Sequence, residues 1–156
     1  MLNATSDQPM RTLGAATVTR ACLCLSIIVC GLALRKFGLG LGLPSVLVKY
    51  GGSMLWGTMV FFLVAVAAPG QSRWRMALIS ILLAVCVELF RLVHTPWLDD
   101  FRLTTWGALL LGRVYSPWNM LAYGVGIMLG MILDRLARSA FTRTRLSAQH
   151  TPHSAS

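Results

Sequence analysis

Apolar residues gather into four blocks along the chain, each closed by charges, glycines or prolines. The first runs from Ala21 to Leu34 between Arg20 and the pair Arg35-Lys36. Alone it falls short of the ~20 residues a helical span needs, and extension through Thr17–Thr19 and Phe37–Leu39 brings it to span length. The same block reads alternatively as a signal-peptide core. Gly31 and Ala33 supply a small-x-small cleavage pattern, and Arg35-Lys36 directly after it oppose export. Gly38, Gly40, Gly42 and Pro44 predict a turn. A second span then runs from Ser45 or Val46 to Ala68, stopped by Pro69-Gly70, with Tyr50 and Trp56 suited to an interface. After a short basic connection, Gln71 to Arg75, the third span covers Met76 to Val93 or His94.

The pattern changes after Thr95-Pro96. Asp99 or Asp100 caps a helix with the body Phe101–Gly112, too short to span, which lies in the interface or dips in as a re-entrant segment. Ser116 and Pro117 then supply an N-cap and a first-turn proline for the last span, Trp118 to Leu133 or Leu136. The fold class expected is all-α: an integral membrane bundle of four transmembrane helices with a short interfacial or re-entrant helix between the third and fourth. Residues 1–19 read as a disordered cytoplasmic leader, 20–136 as the membrane domain and 137–156 as a basic disordered cytoplasmic tail.

Composition agrees with the pattern: 56% of the 156 residues are hydrophobic and 12% charged, more apolar than a soluble core of this size can hide. The net charge of +9 does not point to nucleic acid, because the basic residues sit at the ends of apolar blocks and are not interleaved with aromatics. They report topology instead. With four spans and the N-terminus inside, eight basic residues fall on the inside and six outside; leaving out Arg91, Arg102 and Arg113, which stand near the candidate site, the balance is eight to three. Both termini are therefore expected in the cytoplasm.

Candidate chemistry centres on Glu88, an acid about 18 Å along the third span from Met76. An ionisable group at that depth needs a partner and marks a functional-site hypothesis. Arg91, three residues on, shares its helix face. If the last helix starts where the third ends, Arg102, Asn119 and Tyr123 gather around the acid, with His94 and Lys49 nearby. Ala122, Gly126 and Gly130 repeat every fourth residue and form a small-residue face for close helix contact, within the bundle or in a homo-oligomer. Cys22, Cys24, Cys30 and Cys86 show no metal or disulfide spacing and read as packing residues. His150 and His153 lie in the polar tail, without a supporting shell for a metal. No metal site, cofactor or catalytic residue is predicted. Hydrolase, zincin and P-loop motifs are missing from the sequence.

Several strings together carry a resemblance. They are Lys49-Tyr50-Gly51-Gly52-Ser53-Met54-Leu55-Trp56, Glu88-Leu89-Phe90-Arg91, Pro96-Trp97-Leu98-Asp99-Asp100-Phe101-Arg102-Leu103-Thr104, Leu111-Gly112 and Trp118-Asn119-Met120-Leu121-Ala122-Tyr123-Gly124. Over about residues 20 to 135 the chain resembles the small multi-span proteins of the domain of unknown function 2809 family, which are similar to VanZ-like proteins. The resemblance implies a four-span protein of the bacterial cytoplasmic membrane without an assigned activity. Three positions depart from the family pattern: Ser53 and Asn119 stand where acids are usual, and Arg91 where Gln is usual.

Four roles for the Glu88 group follow. It is a structural ion-pair network, or its surplus arginines receive an anionic lipid or lipid-linked envelope intermediate. A membrane enzyme would use Glu88 or His94 as a general base, and an accessory or transport subunit would need self-association or a membrane-complex partner.

Overall fold

The computed structural model describes residues 7–104, 107 and 116–149, with side chains described over 14–104, 107 and 116–140. Among the described residues there is no strand. The elements are α1 (Asp7–Phe37), α2 (Ser45–Ala67), α3 (Arg73–Phe90), the short α4 (Pro96–Leu103) and α5 (Pro117–Gln149). Three stretches are long and apolar enough to cross a membrane: Gly14–Phe37, Ser45–Ala67 and Pro117–Ala140. The 18-residue α3 carries Arg73, Arg75 and Glu88 and is not among them.

Both terminal helices outrun their apolar blocks. α1 begins at Asp7, inside the stretch expected to be a disordered leader, and α5 continues to Gln149, inside the expected tail. Polarity argues against burial but not against helix. Pro9 falls in the first turn, where a missing N–H removes no helix bond, and the residues after Asp134 include Leu, Ala and Arg, all strong helix formers.

The turn between α1 and α2 forms as the glycines predict. Leu43 N–H donates to Gly38 O at 3.0 Å, and Gly42 takes φ +78°, the left-handed region that favours glycine. α3 starts a turn before its apolar block because Ser72 caps it, accepting from Arg75 N–H at 3.4 Å. At its other end the helix stops at Phe90, and three tighter bonds follow, Arg91 N–H to Glu88 O, Leu92 N–H to Leu89 O and Val93 N–H to Phe90 O.

α4 corrects the start of the helix expected at Phe101–Gly112. It starts earlier, at Pro96, whose fixed φ suits the first helical position, with Thr95 extended as the residue before it. Asp99 and Asp100 therefore lie inside the helix and not at its cap. α4 ends at Leu103, and the Thr104 hydroxyl accepts from the N–H of Gly107, itself helical, at 3.0 Å; residues 105, 106 and 108–112 fall outside the described residues.

α2 is the central helix, packed against α1, α3 and α5, while α3 also packs on α5. Apolar burial gives little drive for helix association inside a lipid phase, so contact depends on close approach. α2 and α5 achieve it through glycine. A Cβ on Gly126 would collide with the Met54 carbonyl, one on Gly130 would lie 2.7 Å from the Phe61 ring, and one on Gly57 would lie 2.6 Å from Tyr123 O. Thr58 fastens the crossing, its hydroxyl 2.8 Å from Gly126 O and 3.0 Å from Met54 O. Beside it Phe61 and Phe62, edge to face at 5.5 Å, anchor an apolar core with Cys24, Met76 and Ile127.

Polarity is inverted relative to a soluble bundle. Leu25 and Val29 of α1, Leu78, Leu82 and Leu83 of α3, and Val125, Met128 and Ile132 of α5 face outward. The buried set includes Arg20, Ser53, Thr58, Ser80, Glu88, Arg91, Arg102, Asn119 and Asp134. That is the arrangement for a chain whose surroundings are apolar.

Candidate functional site

Glu88 is completely buried, 0% exposed, one turn from the end of α3. One carboxylate oxygen, Oε2, accepts from Arg91 Nη1 at 2.6 Å. The other, Oε1, accepts from the backbone N–H of Ser116 at 2.9 Å and from Asn119 Nδ2 at 3.4 Å. The acid thus joins the end of α3 to the start of α5. Asn119 extends the connection to α2: the Ser53 hydroxyl lies 3.3 Å from Asn119 Oδ1 and 3.2 Å from Lys49 O, and its single proton serves one acceptor at a time. Arg91, 7% exposed, also stands 6.0 Å from the centroid of the Tyr123 ring, which packs on Trp56 at 4.8 Å.

Arg102 performs a separate task. From α4 it reaches back to the end of α3, donating from Nη2 to Phe90 O at 2.7 Å and from Nη1 to Val93 O at 2.8 Å and Asp99 Oδ1 at 3.0 Å. Phe90 O already accepts from Val93 N–H and has a second lone pair to offer, and a guanidinium fork is well shaped to reach it and Val93 O at once. Arg102 is therefore a side-chain cap that fixes α4 against α3.

The structure brings Glu88, Arg91, Asn119 and Tyr123 together, sets Arg102 alongside through α3 and leaves two expected members outside. His94 is 68% exposed, with Nδ1 3.3 Å from Asp99 Oδ1. Lys49 is exposed over the Tyr50 ring, and only its backbone carbonyl meets the network. Of the small-residue face, Gly126 and Gly130 are buried against α2 and Ala122 is half-buried. The cysteines are all free: Cys24 is in the core, while Cys22, Cys30 and Cys86 are exposed. Among the described residues no group of three His, Cys, Asp or Glu side chains is placed to hold a metal. His150 and His153 lie outside the described residues, as does Arg113.

A second polar centre lies midway along α5, and sequence reasoning missed it. Asp134, 2% exposed, accepts from Arg20 Nε at 2.8 Å and from Arg20 Nη2 at 3.4 Å, a two-point pairing across 114 positions of sequence. Arg20 Nη1 also donates to Ala65 O at 2.9 Å, so this residue pair ties α1, α2 and α5 together. Two more arginines share the carboxylate: Arg138 Nε at 3.2 Å and Arg73 Nε at 3.9 Å from Oδ2. The signal for Asp134 was present in the four-residue spacing Ala122, Gly126, Gly130, which continues to it on the same helix face.

The segment that carries the Glu88 centre is also the one with known counterparts. A family model described as "Protein of unknown function (DUF2809)" matches residues 42–127, more than half of the chain. The chain belongs to this family. Within the DUF2809 match lie α2, α3, α4 and the first part of α5, and with them every residue of the Glu88 centre. Arg20 and Asp134 fall outside it. No solved structure matches the chain.

Proposed function

We propose that this DUF2809 protein is a four-span component of the bacterial cytoplasmic membrane, both termini cytoplasmic, in which the Glu88 centre is a structural clasp and not a reaction centre. α3 supplies the fourth span. Its 18 residues extend about 27 Å against the ~30 Å of a hydrocarbon core, and its outward face is leucine-rich. The charges that set it apart from the other spans are managed: Arg73 and Arg75 lie in its first turn, where long basic side chains reach an interface, and Glu88 is paired.

The observation that carries the clasp reading is the saturation of Glu88. Both oxygens of a wholly buried carboxylate are occupied by groups from α3 and α5, and Arg102 is committed to the carbonyls of Phe90 and Val93. A general base needs an approach to substrate, and an anion receptor needs cationic groups turned towards a ligand. The arrangement here favours fastening α3, α4 and α5 at one membrane face.

Thermal unfolding of the purified protein in detergent tests this. Glu88→Gln leaves Arg91 without its counter-charge and lowers the melting temperature, whereas Glu88→Leu combined with Arg91→Leu removes both charges and recovers much of the loss. A Glu88→Gln variant that melts above wild type would sink the clasp, since groups held at the expense of stability belong to functional sites.

A further inference from the structure

The end of the bundle opposite the clasp is open where the clasp is closed. A cleft of about 590 Å³ lies between the start of α3 and the outer part of α5, lined in part by Ser72, Arg73 and Trp74 on one side and Ile132, Arg135 and Arg138 on the other. Asp134 beneath it is buried, and Arg20 already holds the carboxylate at both Nε and Nη2. One acid is therefore surrounded by Arg20, Arg73 and Arg138, with Arg135 a further cation one residue from it in the chain. The rim arginines, Arg73 and Arg138, have side chains 41% and 44% exposed. The N-terminus of α3 also opens here and adds the partial positive charge of a helix start.

We propose that this cleft receives a phosphate group, that of an anionic phospholipid headgroup. Guanidinium groups offer paired donors to phosphate oxygens, and three arginines on facing walls over one already paired acid leave surplus positive charge. The lipid as source follows from the surroundings. Trp74, 78% exposed at the rim, has the amphipathic character of a headgroup-level anchor, and the outward Ile132 continues the α5 wall into the apolar surface. Under the four-span reading, on which only the leaflet depends, the headgroup belongs to the cytoplasmic leaflet, whose anionic lipids attract basic segments. Ser72, Arg73 and Trp74 lie within the segment matched to DUF2809, and Ile132, Arg135 and Arg138 lie outside it.

The test measures lipid retention by the full-length protein in detergent micelles, using native mass spectrometry with phosphatidylglycerol and phosphatidylcholine as probes. Wild type is expected to retain phosphatidylglycerol in preference, and Arg73→Gln with Arg135→Gln to lose about tenfold to thirtyfold in that affinity, the scale for two basic groups at a membrane surface. Arg75→Gln is the single-charge control, since Arg75 sits in the same turn and does not itself line the cleft, meeting it only through its bond to the lining Gln71. It should bind as wild type does. Should the double variant fail to fold, Arg135→Gln alone serves, because Asp134 is paired by Arg20, Arg73 and Arg138. Equal retention of the two lipids by wild type, or unchanged phosphatidylglycerol affinity in a folded cleft variant, overturns the proposal. Displacement of the lipid by inorganic phosphate would assign the cleft to a soluble anion and overturn the lipid source. None of these outcomes depends on membrane orientation or on Glu88, so they fail independently of the clasp.

Discussion

The two polar centres along α5 solve the same problem in different ways. Asn119 in the first turn of α5 and Asp134 near its middle stand about 22 Å apart along the helix, and each belongs to a buried acid's network. At the Glu88 end the carboxylate has one arginine, one backbone N–H and one amide, contributed by adjacent elements, and none of the three leads outward. At the Asp134 end the carboxylate has one buried arginine and two half-exposed ones that line a cleft. A closed centre has charges in balance and fixes helix ends. An open one has a buried anchor with surplus charge beyond it, and that surplus is available to a ligand.

The largest effect separating the two should come from Arg91→Ala. It leaves Glu88 fully buried with only neutral donors, and orphaning one member of a buried pair destabilises by about 3–5 kcal/mol. Chemical or thermal unfolding in detergent measures it. A loss under about 1 kcal/mol would mean that Ser116 N–H and Asn119 hold the acid without Arg91, and the closed centre would no longer be an ion-pair device.

Arg20→Ala ranks second. The substitution also leaves a buried acid, and Arg138 and Arg73 remain at 3.2 and 3.9 Å to stand by it. The expected loss is about 2–3 kcal/mol, below that of an orphaned buried charge and above that of an exposed pair. It includes the hydrogen bond from Arg20 to Ala65 O. If Arg20→Ala equals Arg91→Ala in the same assay, the rim arginines contribute nothing to Asp134, and the contrast between open and closed ends collapses.

The unequal legibility of these centres has a physical origin. Glu88 stands out in sequence because it interrupts an apolar block, and Arg91 is within a helical turn of it. Asn119 and Tyr123 are legible once the last span is taken to begin where the third ends. Ser116 enters through its backbone N–H, which no residue type announces. Arg20 and Asp134 stand at the edges of apolar blocks, where a charge reads as a topology marker, and only folding joins positions 114 apart. The three stretches long and apolar enough to cross a membrane were legible from hydropathy, and the α1–α2 turn from its glycines. The extents of α1 and α5 were not, because hydropathy reports burial while helix continuation follows propensity. Pro96 was the stronger start signal for α4, since its φ is fixed whereas an aspartate cap is one of several choices.

Arg138→Gln should give the smallest effect and the sharpest test of the open end. Its guanidinium is 3.2 Å from Asp134 Oδ2, closer than that of Arg73, yet its side chain is 44% exposed and water can take over much of what it supplies. Removing it leaves Arg20 at 2.8 Å, so Asp134 keeps its main partner. Exposed pairs contribute about 0–1 kcal/mol, and the expected loss of stability lies in that range. The same substitution removes one of the arginines lining the cleft, so stability and anion affinity should part company here: near-wild-type unfolding with weaker phosphatidylglycerol retention. At the closed end no such separation is expected, because the groups that hold Glu88 are already committed to the fold. A variant that loses stability as Arg20→Ala does would make Arg138 part of the buried anchor, and the boundary between anchor and cleft would move outward by one turn of α5.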